Sequence, residues 1–461
     1  MIPRTFAKYS SKGARYMATA PSVFDEAVVG LPTGSPGAVG PSPGTEVSQL
    51  PNGVRVASQD DGGHVASVAL FFEAGSRFES SSNAGAAHLL SHMAFKSTNQ
   101  RSDLRLFRDM EDSGMVSTAA HGRDSIMYRV DTLREHSGSA LDIIAETVTD
   151  AKFPGWELNA VKAGPLAAEL DGAETNAQSL LSETVHSAAY GGDKTALGHS
   201  LYAQRHNLSA LDGDALSAYV NEHFSPHRMV IVGSNVDHAT LSRFAESSLS
   251  GLGATGAAPS TDSTYTGGNK FLQGEGDLTH VAVAYNMGGW SDANLYSAMV
   301  LKQILGGGAT GVSGIGSGVN SRLYKNVFGT SDQVVSAQAF SSVYRDSGLF
   351  GVYGACTHGS QTEAQSLLVG AMENAAKKAP SAEELNRAKN MLKSSIALSV
   401  ASRDGNVEDM GIQTMVFGKR TSVAETFATI DSITAASVVK TAEALLKTNP
   451  TVAAIGSVDG L

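Results

Sequence analysis

The chain is poor in the residues that crosslink or anchor a protein. One cysteine, Cys356, stands among 461 residues. A disulfide framework, a cysteine zinc knuckle and cysteine-ligated iron–sulfur centres are therefore excluded, and no CxxCH haem word occurs. Long apolar runs are missing too. The longest, Val65–Phe72, is strand-sized, far short of the roughly 18 residues that suggest a membrane span. Any membrane association should come through partners. Basic stripes with interleaved aromatics are also lacking, and the formal net charge is -11, so nucleic acid is a poor partner. An acidic body repels anionic polymers and attracts basic peptides. What remains is the composition of a globular protein, 42% hydrophobic, with roughly two to four domains.

The first residues have a different character. Arg4, Lys8, Lys12 and Arg15 precede any acidic residue, with Ser and Thr between them and no apolar h-region, the composition of a mitochondrial transit segment. A Gly/Pro/Ser linker, GLPTGSPGAVGPSPG, follows at 30–44. Then LPNGVRVASQ sets an Asn-Gly turn between apolar residues, a hairpin signal, and VASVALFFEAG reads as a buried strand. A second flexible stretch at 251–268 divides the body. The expected organisation is a transit segment and linker over 1–44, domains over 45–250 and 269–461, and a linker over 251–268.

The two domains are related. WELNAVKAGPLAAEL, from Trp156, matches EELNRAKNMLKSSIAL, from Glu383, in the phase of Glu-Leu-Asn, Ala and Lys. Both continue through an acidic-capped helix, a turn, a proline and a strand to Gly-Ser and Val-Asp. That order of elements is a duplication. Each half is expected to be α+β, a mainly antiparallel sheet with helices packed on one face. In the second half, Ser381 is placed as an N-cap with Glu384 as its capping-box partner.

Two histidines, His88 and His92, lie four apart in AGAAHLLSHMAFKST. On a helix they share one face, as two imidazoles on one zinc require. HxxxH alone is a weak signal, since histidines at this spacing are more often ordinary core or surface residues. A third ligand would have to come from elsewhere.

HLLSH resembles the inverted zinc motif, His-x-x-Glu-His, of the pitrilysin/insulinase metallopeptidases. LPNGVRVAS, FFEAGSRFES, NAGAAHLLSHMAFKST, YGGDKTALGHSLY, FSPHRMVIVG and SRLYKNV match that family as well. The chain is identified as a member over about residues 45–461. The resemblance implies a clamshell of two homologous halves. It implies a third ligand, Glu, on a later helix; with 76 residues between it and His92, that position is Glu169. It also implies an inactive centre. The family's general base lies between the histidines, where Ser91 stands, and a hydroxyl is a weak base. An Arg and a Tyr clamp the substrate carbonyl in active members. Their positions, counted from Ser321-Arg322-Leu323-Tyr324, fall on Phe328 and Val335, which donate no side-chain hydrogen bond. No catalytic residue is assigned. His88, His92 and Glu169 remain as residual ligand positions. Zinc held without a base, and a metal-free hydrogen-bonded cluster, both stay open.

The segment 305–324, LGGGATGVSGIGSGVNSRLY, holds seven glycines. It lacks the Gly-Lys-Ser/Thr ending of a phosphate-binding loop, and by itself reads as a flexible surface loop. Non-catalytic family members with a similar loop use it to receive presequences, which makes Gly306, Gly307, Gly308, Gly314, Gly316 and Gly318 candidate substrate-binding residues. Two branches lack the catalytic Glu: core protein 2 of ubiquinol–cytochrome c reductase and the α subunit of the mitochondrial processing peptidase. In some organisms one polypeptide fills both roles. SVYRDSGLFGVYG leans to the first branch; ETVHSAAYGGDKTALGHSLY and the glycines lean to the second. The resemblance thus implies a core protein 2-type scaffold of complex III on the matrix side of the inner membrane. Its partners would be core protein 1 or a β-type subunit, through an interface of roughly 2,000 Å² or more, with cytochrome b and the iron–sulfur subunit beneath and presequence binding retained. The alternatives are a soluble α subunit and, last, an active zinc endopeptidase.

Overall fold

The computed structural model describes residues 44–192, 195–249, 252, 262–274, 276–309, 318–328 and 330–458. The transit reading and much of the 251–268 linker lie outside the described residues. In the first half, apolar runs become β1 (Glu46–Gln49), β2 (Arg55–Gln59), β3 (Val65–Phe72), β4 (Val116–His121), β5 (Ile126–Leu133) and β6 (Met229–Ser234). In the second they become β7 (Gly268–Gln273), β8 (Leu278–Gly288), β9 (Gly307–Ala309), β10 (Val334–Val343), β11 (Ser347–Thr357) and β12 (Thr451–Gly456). The sheet orders are β1-β2-β6-β3-β5-β4 and β7-β12-β8-β11-β10-β9. Without β1 and β9 the orders coincide. Each sheet has one parallel pair, β2 with β6 and β7 with β12, among antiparallel ones. The duplication read from the sequence is a duplication of topology, and the fold is α+β.

The Asn-Gly turn joins β1 to β2, with Gln49 opposite Arg55. Gly53 there adopts φ +94, and any Cβ on it would run into the His227 ring. The halves part company at their matched helices. Ala382–Ala401 runs unbroken from a capping box of Ser381 and Glu384. Its counterpart is cut at Pro165, which has no N–H to give, into Gly155–Ala163 and Pro165–Thr175. The second piece carries Glu169. The glycine-rich stretch is only partly a loop: Gly307 and Gly308 pair with Gln338 and Ala337 as edge strand β9. A Cβ on Gly307 would lie 2.8 Å from the Ala337 carbonyl oxygen, so glycine is what allows this pairing.

Each sheet packs one face on helices of its own half. The other face receives a helix from the opposite half. Helix Arg403–Phe417 sets Val407, Met410 and Met415 on Phe71, Val230 and Val232 of the first sheet. Helix Ala177–Ala189 sets Leu181 and Val185 on Ala282, Leu349 and Ala453 of the second. Gly411 makes the first contact possible, because a Cβ there would strike the Phe71 ring. Charges close the seam. Arg77 bonds Asp124 of its own half at 2.6 Å and Asp346 of the other at 3.0 Å. Glu73 bridges Arg55 at 3.2 Å and Arg345 at 3.1 Å.

One seam contact titrates. His186 Nδ1–H donates to the Ser182 carbonyl, and Nε2 accepts the Tyr344 hydroxyl, each at 2.7 Å. Burial, and then the Arg123 charge, push the imidazole down to about 3. The folded state holds it neutral, whereas the unfolded chain protonates near 6.5. Stability from this group is therefore complete above 6.5 and lost as the pH falls towards 3, with a slope of about 1.4 kcal/mol per pH unit for one proton. Denaturant unfolding between pH 7 and 4 should show the slope. His186→Gln should be less stable at pH 7 and flatter by one proton across that window.

Candidate functional site

The helix Ala86–Met93 carries His88 and His92 one turn apart. Its first N–H groups are satisfied by a carboxylate outside the helix. Glu79 Oε2 accepts the Gly85 N–H and Oε1 the Ala87 N–H, each at 2.8 Å. Burial pushes the Glu79 carboxyl up to about 7 against those two donors. Gly85, at φ +93, leaves no side chain where the segment 199–203 crosses; a Cβ on it would lie 2.5 Å from the Ala203 Cβ.

His92 Nε2 lies 2.8 Å from Glu169 Oε2, and His88 Nε2 lies 3.5 Å from the same oxygen. The two histidines of the motif and Glu169, the position implied by the resemblance, thus stand together. A fourth, His121, joins them from the end of β4. Its ring stacks on His88 with centroids 4.5 Å apart, and the donor atoms of His88, His121 and Glu169 fall within 4.8 Å of one another. Ser91 Oγ donates to the His88 carbonyl at 2.7 Å, so it can only accept from His121 Nδ1–H, at 3.1 Å. Burial pushes His88 down to about 3 and His121 to about 4, with neighbouring histidine charge adding to both.

The other side of His88 decides its proton. Nδ1 accepts the Ala203 N–H at 3.1 Å, which leaves the ring hydrogen on Nε2. Zinc, which the family motif implies, needs that nitrogen bare. The residues are gathered, yet their proton arrangement does not fit the metal.

Sequence spacing pointed to neither His121, Ala203 nor Arg123. Arg123, two residues past His121, is buried. It donates to the His199 carbonyl and to Glu183 Oε1, each at 2.5 Å. Glu183 Oε2 accepts the Leu201 N–H at 2.8 Å. These bonds hold the segment that reaches His88, and no local word marks them.

The glycine positions lie in the other half. Gly306, Gly307, Gly308 and Gly318 line a cavity of about 660 Å³ with Lys302, Arg387 and Met391. Gly314 and Gly316 lie outside the described residues. Val335 sits in β10, and Phe328 is the last residue of the π-helical segment Tyr324–Phe328.

Removing one partner of a buried ion pair strands the other. Arg123→Met should therefore cost about 3–5 kcal/mol of unfolding free energy in denaturant melts.

Residues 55–204 match the family model described as Insulinase (Peptidase family M16), and residues 210–392 match Peptidase M16 inactive domain. Mitochondrial-processing peptidase subunit alpha of Solanum tuberosum is 34% identical over 420 residues, 90% of this chain and 82% of that protein. Cytochrome b-c1 complex subunit 2 of Homo sapiens is 30% identical over 435 residues, 92% of each. Mitochondrial-processing peptidase subunit beta of Bos taurus is 29% identical over 435 residues, 91% of this chain and 86% of that protein. Both halves are matched and most of each relative is spanned: the chain belongs to the insulinase (M16) peptidase family.

Proposed function

We propose that this chain is a non-catalytic, core protein 2-type subunit of respiratory complex III. It would act as a scaffold on the matrix side of the mitochondrial inner membrane. Its partner would be core protein 1 or a β-type relative, and the pair would rest on cytochrome b and the iron–sulfur subunit. The observation that carries this reading is Ser91. It occupies the place of the family's general base, and its hydroxyl is committed to the His88 carbonyl and to His121. Its hydroxyl lacks the basicity to take a proton from water. Phe328 and Val335 in place of the carbonyl clamp agree, as does the match of 210–392 to an inactive domain. No helix among the described residues is long and apolar enough to cross a membrane, so attachment would run through partner subunits. The mitochondrial relatives and the basic first residues support the location.

A second reading, a soluble processing-peptidase α subunit, is favoured by the Solanum tuberosum relative and by the glycine-lined cavity. The described wall of that cavity is not acidic. Lys302 and Arg387 face one carboxylate, Glu384, which Arg322 already holds at 2.7 Å. A presequence received there would be held chiefly by apolar contact with Ile304, Val319 and Met391.

Fractionation separates the two. The scaffold should stay on inner membranes through a high-salt wash and co-migrate with cytochrome b after detergent extraction. Release as a free heterodimer would favour the second reading. Ser91→Glu alone should yield no zinc-dependent cleavage of a presequence peptide, because the carbonyl clamp is also missing.

A further inference from the structure

Two metal-binding sets can be drawn in the histidine cluster. One is His88, His92 and Glu169; the other is His88, His121 and Glu169. Both require Nε2 of His88. We infer that the cluster is closed to zinc by the chain's own backbone. The amide N–H of Ala203 occupies Nδ1 of His88 and keeps the ring proton on the nitrogen a metal would need.

An imidazole that binds a metal through one nitrogen gives the N–H of the other to an acceptor, commonly a carbonyl or carboxylate. His88 Nδ1 meets a donor instead, at 3.1 Å. The imidazolium and the Nδ1–H tautomer would both set N–H against N–H. Turning the ring over would put a carbon against the Ala203 amide. That amide belongs to a residue 3% exposed, and a buried unpaired donor costs about 1–3 kcal/mol.

The segment is not free to step aside. Its Ala203 end lies on the helix at Gly85, where only a missing side chain allows the approach. Asn207 Nδ2 donates to the Ala84 carbonyl at 2.7 Å, just beyond. At the other end Arg123 and Glu183 hold His199 and Leu201. The strap is fastened on both sides of the amide that locks the ring.

What the cluster keeps is the chemistry of a water site. His88 Nε2–H and His121 Nε2 are buried without a hydrogen-bond partner among the described residues. One is a donor and the other an acceptor, on rings 4.5 Å apart, with the Glu169 carboxylate beside them. A donor, an acceptor and a carboxylate suit a bridging water. Ser91 is a positioning residue here: by accepting from His121 Nδ1–H it turns that ring's bare nitrogen towards the cluster.

A non-catalytic subunit can still hold zinc structurally. Zinc at His88 would therefore overturn the lock and leave the scaffold reading standing. The test uses the full chain with isotope-labelled histidine, equilibrated with zinc sulfate and freed of excess. Metal content is measured by mass spectrometry and ring protonation by long-range proton–nitrogen NMR. The expected result is no stoichiometric zinc dependent on His88, with His88 in the Nε2–H form and His121 in the Nδ1–H form. Ala203→Pro, which deletes the locking N–H, should gain zinc that a further His88→Ala removes. Stoichiometric wild-type zinc lost in His88→Ala would overturn the inference, as would an Nδ1–H His88. So would a folded Ala203→Pro protein that gains no zinc. If that variant does not fold, the wild-type tautomers decide.

Discussion

The site depends on the buried pairing of Arg123 with Glu183. The guanidinium is too far from water to be left alone, and its acceptors come from three places. Glu183 lies on the helix Ala177–Ala189, His199 on the crossing segment, and Tyr344, whose hydroxyl accepts from the guanidinium and donates to His186 Nε2, on the opposite half. One charge thereby sets the end of β4, where His121 stands, and the path of 199–203, whose last amide meets His88. It also ties the cluster to the seam between the halves. Through the segment 199–203 Arg123 acts on which nitrogen of His88 carries the proton.

The seam follows from duplication. Two sheets of equal topology each expose a second apolar face, and each is covered by one helix of the other half. Covering both faces in this reciprocal way leaves neither half with a complete core alone. The glycine at 411 and the ion pairs around Arg77 and Glu73 are the local adjustments that close approach requires. The helix with its two histidines and the later carboxylate stand together, while the Ala203 amide occupies the far side of the His88 ring.

Much of this was legible in the sequence, because the signals were periodic or local. The Asn-Gly turn, the capping box at Ser381 and the repeat of Glu-Leu-Asn words depend on neighbours a few residues away. Helix geometry put His88 and His92 on one face, whereas Glu169, 77 residues on, was placed beside them only by the family resemblance. His121, Arg123 and Ala203 were not legible. Their roles come from tertiary contacts across 30 to 115 residues, and a backbone N–H leaves no mark in side-chain identity. The glycine stretch was half legible: composition indicated looseness, while the absence of a Cβ at Gly307 made an edge strand.

The state of His88 inside the assembled protein is the most direct test of the closed cluster. Crystals of the native complex, grown with zinc and measured on both sides of the zinc absorption edge, would settle it. The expected result is no anomalous peak among His88, His92, His121 and Glu169, with water-sized density between the rings and the Ala203 nitrogen within hydrogen-bond reach of Nδ1. An anomalous peak about 2.0–2.1 Å from His88 Nε2, with Nδ1 turned to an acceptor, would contradict it.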